Sequence, residues 1–559
     1  MSSPYLLLAV ALTGVASHLF FFKIGERHLY PLRYVQAFLL GCTITIVAKS
    51  HYGRTPTRDA MAFTAKYATL YLAGLYTSLI IYRLFFNPLN QIPGPFWMRL
   101  SRFDFVLRVA AKMNSHHTLL ALHQKYGPFV RIGPNDISVT HPDGVEVISG
   151  IKSKCSKAQW YSQDVPLISM HTCRDRAQHD RRRRIWSPAF SDKALRGYES
   201  RVRRYNELLI EKLDESNGQP LDMSKWFNLY SFDVMGDLGF GTSFHMLESG
   251  ELHWAIRLLN LGMDPMGFCL PPWVFRLMTA IPGLAAGYWK FIGYCSDQLD
   301  ARMKVQVQHK ANTDQDRDIT YTLIEHYNAS TPEAQNTQLP MLQGDSRLII
   351  VAGSDTTAAT LVHLFYHLAT EKGLMGRLRE ELDMLLKDSN DGEIEHQKIQ
   401  DALLLNGVIN ETLRLHPPVP SGVFRKTPPE GVEIAGTYIP GFTVIQMPQY
   451  VMARDPTIYA DPQTFIPERF GSRSSELMFH RDAFAPFSTG PYACIGKNLA
   501  YMEIRLLTAQ LVRRFDVSLA PGETGQKLLG ESKDHFTMGL GECFMTFTRR
   551  EAGKEQVRA

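Results

Sequence analysis

The sequence predicts a mainly α fold with small β sheets, of the α+β class, behind an N-terminal multi-span membrane anchor. Three observations carry this expectation. Apolar runs crowd the first 86 residues, strand signals sit near each end of the remaining chain, and long helix-period stretches fill its middle. Hydrophobic residues at 45% and charged residues at 21% of 559 are the composition of a packed globular chain. A net charge of +5 over that length gives no ground for a nucleic-acid partner, though a local basic face could still dock an acidic protein. The seven cysteines are scattered without a CxxC, so neither a disulfide framework nor a zinc site follows.

The anchor comes first. Residues 5–22, YLLLAVALTGVASHLFFF, hold no ionisable side chain but Tyr5 and His18, and a spanning helix needs roughly 20 apolar residues. A second run, 34–47, is shorter and reads as a span, a hairpin or an interfacial helix. The third, 68–82, is closed by Arg83. One to three spans are therefore expected within residues 1–86. No basic residue precedes the first run and further runs follow it, unlike a cleavable signal peptide. The uncharged start, with Arg83, Arg99 and Arg102 after the last run, places the N-terminus outside and the main domain in the cytosol. Pro88, Pro93 and Pro95 then make residues 87–96 a stiff hinge, and 97–559 the main domain.

Within that domain, 128–142 alternates as two strands and 431–448 repeats the signature, with Gly436 and Pro440-Gly441 as turns. Helical stretches at 342–371 and 397–415 lie between, so a small sheet closed by distant segments is expected.

Chemistry concentrates in FSTGPYACIG, 487–496. After it, Leu499, Met502, Leu506, Ala509 and Val512 recur at helical spacing, so Cys494 sits just before a helix N-terminus. Unpaired amides and the helix dipole favour a thiolate there, and Gly490 and Gly496 allow unusual backbone. A metal ligand, a nucleophile and a small buried residue all remain open readings of Cys494 alone. Three other segments narrow them. VAGSDTTAAT, 351–360, puts Gly353, Ser354, Asp355, Thr356 and Thr357 inside an apolar helix, a fault expected where a helix bends or faces a ligand. ETLRLHPPVP, 411–420, places Glu411 and Arg414 on one helical face. FIPERF, 465–470, adds Arg469.

These four motifs, in this order, resemble the cytochrome P-450 superfamily of haem-thiolate monooxygenases, over roughly residues 88–545 and closest to fungal membrane-bound members of secondary metabolism. The resemblance implies the cytochrome P-450 fold and haem b (iron protoporphyrin IX), with Cys494 as axial ligand of the iron and Phe487, Gly490 and Gly496 as its loop. It implies that Asp355 and Thr356 form the acid–alcohol pair that delivers protons, a helix-internal threonine bonded back to a carbonyl being the bland alternative. Glu411, Arg414 and Arg469 match a buried structural network that locks the cysteine loop. In QHDRRRRIWSPAFS, 178–191, His179 and Arg183 match haem-propionate partners, as does Arg425 in SGVFRKT, while Arg181, Arg182 and Arg184 are expected in solvent or toward a redox partner.

One position departs from the pattern. Two residues before the cysteine most members carry Arg or His, and this chain has Tyr492, which offers one neutral hydrogen bond in place of a charged fork. The further implications are insertion of one oxygen atom from O2 into a lipophilic substrate, by hydroxylation or epoxidation, with electrons from NADPH through a separate NADPH-cytochrome P-450 reductase. Lys497 and Arg505 are candidates to meet that reductase. Trp160, Tyr161, Val419, Phe424, Phe536 and Met538 are the expected pocket lining, and family habit points to a terpenoid, polyketide or prenylated indole. The membrane is expected to be the endoplasmic reticulum, with 270–283 apolar enough to touch it. A reductase-independent isomerase or dehydratase, or a non-catalytic haem-binding protein, is the alternative.

Overall fold

A computed structural model of the chain describes residues 4–163, 165–308, 317–387 and 394–550. Three apolar helices open it: α1 (Pro4–Ser17), α2 (Pro31–His51) and α3 (Thr57–Ile81), with α1 and α3 each prolonged by a π-helical turn to Phe22 and Phe86. All three are long and apolar enough to cross a membrane. The middle run, short as a sequence pattern, is thus a full 21-residue helix rather than a hairpin.

The three helices have a defined order. Gly14 and Gly74 let α1 and α3 touch backbone to backbone: a Cβ on Gly14 would stand 2.1 Å from the Tyr71 carbonyl oxygen, and one on Gly74 2.1 Å from that of Ala11. Farther along, His18 pairs with Ser78 at 2.8 Å and Lys23 lies over the Tyr82 ring. Residue 14 lies between 71 and 75, and the contacts otherwise advance together, 11 with 74, 18 with 78 and 23 with 82, so α1 and α3 run parallel. Phe38 stacks on Tyr71 and Lys49 covers Phe63, so α2 runs antiparallel between them in sequence.

The proline-rich stretch is clasped to the body. Arg131 N donates to Pro93 O at 2.7 Å, and any Cβ on Gly94 would collide with the Arg131 carbonyl at 2.4 Å. Strands β1 (Phe129–Arg131) and β2 (Asp136–Val139) form as the alternation predicts, followed by β3 (Ser156–Lys157). The later strands are β4 (Phe424–Lys426), β5 (Val432–Ile434), β6 (Thr437–Ile439) and β7 (Val444–Gln446). The main sheet runs β1-β2-β7-β4-β3, with β2 parallel to β7 (Ile137 opposite Ile445) and β3 antiparallel to β4 (Lys157 opposite Arg425). Segments 300 residues apart therefore close one small sheet, as expected, while β5 and β6 pair as a separate hairpin.

Apart from a three-stranded antiparallel sheet of Leu221–Asp222, Phe544–Arg549 and Phe515–Leu519, helices make up most of the rest of the described body. Those that build the site are α4 (Arg176–Trp186), α5 (Met223–Phe240), α6 (Pro272–Ala280), α7 (Pro332–Thr370), α8 (Leu403–Leu415) and α9 (Lys497–Arg514). The 39-residue α7 would also be long enough to cross a membrane, but two-thirds of its apolar window is buried in the protein, against α5 above all. It is an interior strut. Leu499, Met502, Leu506, Ala509 and Val512 are all buried, yet α9 is less amphipathic than its spacing suggests, because Glu503, Thr508 and Gln510 are buried as well. A last hairpin, β8 (Lys533–His535) and β9 (Thr537–Gly539), reaches back to α7.

Candidate active site

Cys494 is held from its own loop. Its amide donates to the Phe487 carbonyl at 2.8 Å, and Ala493 N donates to Gly490 O at 3.1 Å. Gly490 has φ +63°, and a Cβ there would press on the carbonyl oxygens of Ser149 and Gly150 at 2.3 and 2.6 Å, so only glycine fits. Gly496 differs from expectation: its φ is −82°, open to any residue, and a Cβ would meet nothing closer than Phe190 at 3.8 Å. Its value is space, since that Cβ would stand 4.0 Å from Cys494 Sγ. Phe487 packs on Tyr501, with ring centroids 5.3 Å apart.

The thiol side chain is accessible, although it is desolvated by the surrounding protein. Accessible surface deep in the body means that Cys494 faces an internal chamber. Burial pushes the thiol above its ordinary value, and the amides of Gly496 and Lys497 with the Arg183 charge pull it down. The helix-end effect expected from sequence is present but does not win in the protein alone; a bound cation is what deprotonates such a thiol outright.

On α7, burial raises the Asp355 carboxyl to about 7, and its Oδ2 accepts from Thr537 Oγ1 on β9 at 3.3 Å. The Thr356 hydroxyl donates to Ala352 O at 2.8 Å, the back-bonded arrangement weighed above. The helix runs without interruption from Pro332 to Thr370, and its small residues divide between packing, with Ser354 and Thr357 buried, and accessible surface. Ala352 is accessible there, and Gly353 admits Met235, whose sulfur a Cβ would meet at 2.5 Å.

Tyr492 lies in a ring of cations. Lys157 Nζ and the Arg425 guanidinium are each 4.9 Å from its ring centre, and that of Arg176 is 5.3 Å away. His179 meets the same ring edge-on at 4.7 Å. Arg425 is buried, held by Tyr161 Oη at 3.2 Å, and its Nε has no hydrogen-bond partner among the described residues. Arg183 donates to Ala493 O at 2.6 Å, so it also braces the cysteine loop. His179 Nδ1 meets Asp180 Oδ1 at 2.9 Å, which leaves Nε2 an acceptor in the neutral ring. Burial, with Lys157 and Arg183 adding repulsion, lowers its pKa to about 4. As a propionate donor it would therefore need a second proton.

Lys157 and Arg176 were not singled out in the sequence. Lys157 is marked only by its place opposite Arg425 in the sheet, a non-local pairing with no sequence signal. It donates to the carbonyls of Met170 and His171 at 2.9 and 2.7 Å, and burial with the Arg425 charge lowers its pKa to about 7. Two other expectations are corrected. Arg182 is not in solvent: it is buried against Asp345 at 2.5 Å, and Asp345 also accepts from Trp186 Nε1 and Met170 N. Arg505 turns inward to Asn406 and His396, whereas Lys497 is exposed.

The buried network forms. Arg414 grips Glu411 with two bonds of 2.7 and 2.8 Å, and Arg469 Nε adds 3.2 Å to each carboxylate oxygen. The remaining guanidinium donors take the carbonyls of Ala453, Ala460, Asp461, Pro462, Thr464 and Leu477. It thus locks 453–477, the stretch leading into the cysteine loop, rather than the loop itself. Among the pocket residues, Trp160 stacks between Phe424 and Phe536 at 5.2 and 4.8 Å.

These residues fit a haem: an accessible thiol in an interior chamber, a glycine where backbone approaches backbone, and a cationic cluster with an unpartnered Arg425 Nε. The model of the family "Cytochrome P-450" matches residues 92–539. The chain is 47% identical over 545 residues to cytochrome P-450 monooxygenase lcsK of Purpureocillium lilacinum, covering 97% of this chain and 98% of that one. It is 41% identical over 558 residues to tryprostatin B 6-hydroxylase of Aspergillus fumigatus (98% and 97%), and 42% over 550 to cytochrome P-450 monooxygenase notG' of Aspergillus versicolor (98% and 98%). With thiol loop, interior helix and cation cluster all in place, the chain belongs to the cytochrome P-450 family and is a haem b monooxygenase akin to those of fungal secondary metabolism.

Proposed function

We propose that this enzyme inserts one oxygen atom from O2 into a C–H or C=C bond of a lipophilic, aromatic secondary metabolite. The observation that supports it best is the accessible Cys494 thiol, held by a loop whose Gly490 admits no side chain, with the accessible Ala352 on the interior helix α7. Haem, when bound through Cys494, supplies the activation of oxygen. The chain supplies the rest. Arg425, Lys157 and Arg183 neutralise carboxylates at the Tyr492 edge. Asp355, poised near neutral pH, hands protons inward from its hydrogen bond with Thr537, and Thr356 orders water once its hydroxyl leaves Ala352 O.

The flat Trp160–Phe424–Phe536 stack suits an aromatic ring, and the relative that hydroxylates tryprostatin B makes an indole-bearing metabolite the first class to try. The reductase would meet the exposed Lys497 face. The anchor would cross the endoplasmic reticulum membrane three times, with residues 97–559 in the cytosol.

The test is the carbon-monoxide difference spectrum of the reduced protein in membranes beside Cys494→Ala, followed by turnover with and without NADPH and reductase. A thiolate band lost in the variant, with NADPH-dependent product, is expected. Product formed without NADPH would instead support an isomerase.

A further inference from the structure

The first anchor connector does not hang free. Glu26, between α1 and α2, takes the guanidinium of Arg174 in a two-bond fork of 2.6 and 2.7 Å and the Lys426 ammonium at 2.7 Å. Both partners belong to the catalytic domain. Arg174 closes the 155–175 loop, and it also donates to the Lys157 carbonyl at 3.2 Å and to Ser162 Oγ at 3.1 Å. Lys426 ends β4, one residue from Arg425. The two cations and the carboxylate are each no more than about a third exposed, and His28 is buried beside them. Arg174 and Lys426 together hold the Glu26 carboxyl down to about 2, against the burial that would raise it. Nearby, Arg276 on α6 donates to the carbonyls of Gln163 and Val165 in the same loop.

We propose that Glu26 is a positioning residue: the anchor's first connector clamps the 155–175 loop, and through it sets both the substrate pocket and the cation cluster around Tyr492. Two consequences follow from the geometry. The loop that carries Trp160 is tied at Arg174 to the membrane-proximal connector and not only to its own domain. Residues 23–30 also lie on the catalytic side of the membrane, which the parallel α1 and α3 and antiparallel α2 require independently. Residues 52–56 then lie on the other side. The proposal rests on the monooxygenase reading only for the meaning of pocket binding; the clamp and its sidedness stand apart from it.

The test uses full-length holoenzyme in membranes. Glu26→Gln and Glu26→Arg are compared with the conservative Glu26→Asp and the charge-exchanged pair Glu26→Arg/Arg174→Glu. Hydrogen exchange of 155–175 should rise in the first two, while the carbon-monoxide band keeps its wild-type intensity. The affinity of 4-phenylimidazole, read by its haem spectral shift, should fall about twofold to fivefold, the range of a partly exposed ion pair. Glu26→Asp should recover most of both signals, and the exchanged pair only part of them, because Lys426 then faces a cation and position 174 no longer donates to the Lys157 carbonyl. Impermeant thiol labelling of sealed vesicles, mapped by peptide mass, should modify Arg27→Cys on the side that exposes the catalytic domain and Thr55→Cys only after permeabilisation. Unchanged exchange and affinity in Glu26→Arg, or labelling of position 27 on the opposite side, would overturn the proposal. Failure of NADPH-dependent turnover would bear on the monooxygenase reading alone.

Discussion

Thr537 Oγ1 donates to Asp355 Oδ2 at 3.3 Å, so the acid on the interior helix is tied to the C-terminal hairpin rather than to its neighbour Thr356. Burial raises the Asp355 pKa to about 7 and this bond opposes the rise. The acid therefore changes charge within the working pH range, which a solvent-facing aspartate would not do.

Coupling of NADPH use to product should accordingly follow a single limb near pH 7. Thr537→Val removes the bond that favours the charged form, so the limb should move to higher pH, by less than about one unit for so long a bond. Asp355→Asn should abolish the limb and lower product formation at every pH. The profile of product formed per NADPH oxidised checks both. A limb unmoved in Thr537→Val would mean that the hairpin does not tune the acid.

Tyr492 gives a second expectation, and its sign runs against the family pattern. Three cations already surround the ring, so restoring the usual arginine would add a fourth charge among Lys157, Arg176 and Arg425. Tyr492→Arg should lower the stability of the haem-free protein and the yield of holoenzyme. Tyr492→Phe keeps the ring that the cations surround and removes only its hydroxyl, and should keep near-normal haem content. Denaturant unfolding and the carbon-monoxide band distinguish the two variants.

What could be read from sequence divides by range. Cys494, Gly490 and Asp355 announce themselves because their neighbours in the chain are unusual: two glycines and a proline around a cysteine, small polar residues within an apolar helix. Tyr492 was visible as a departure, but its compensation was not. Lys157 reaches the ring through a strand pair with Arg425, 268 positions away, and nothing local distinguishes it from other lysines. Arg182 was misplaced for the same reason. Four consecutive arginines look like a solvated face, and which of them turns inward depends on Asp345, a residue of another helix. Spacing reports which residues share an element, whereas partners across elements emerge only from packing.

Asp345 makes the third case. It is fully buried and accepts from Arg182, Trp186 and Met170, which join α4, α7 and the 169–173 turn. Asp345→Ala strands the Arg182 charge and should destabilise by about 3–5 kcal/mol. The apolar pair Arg182→Met/Asp345→Leu leaves no unpaired charge and should cost clearly less than either single change. A double-mutant cycle by denaturant unfolding of the holoenzyme measures the coupling. Equal losses in the pair and in Asp345→Ala would show that the ion pair is not what holds this junction.

Lys157 carries the last expectation, because its sign is fixed by linkage. Burial, with the Arg425 charge second, lowers its pKa from 10.5 to about 7 in the folded, haem-free protein. Between those values the unfolded chain binds a proton that the folded one does not. Stability should then rise with pH from about 7 to about 10.5, at no more than about 1.4 kcal/mol per pH unit from this group. Lys157→Met should remove that slope, so the difference between variant and wild type, measured by denaturant unfolding at pH 7 to 10, isolates it. In the holoenzyme, carboxylates placed beside Lys157 would keep it charged. The slope should therefore shrink or reverse, and haem should pass to a scavenger faster as the pH rises. A slope identical in holo and haem-free protein would mean that Lys157 faces no propionate, and that Arg425 and Arg183 carry that charge without it.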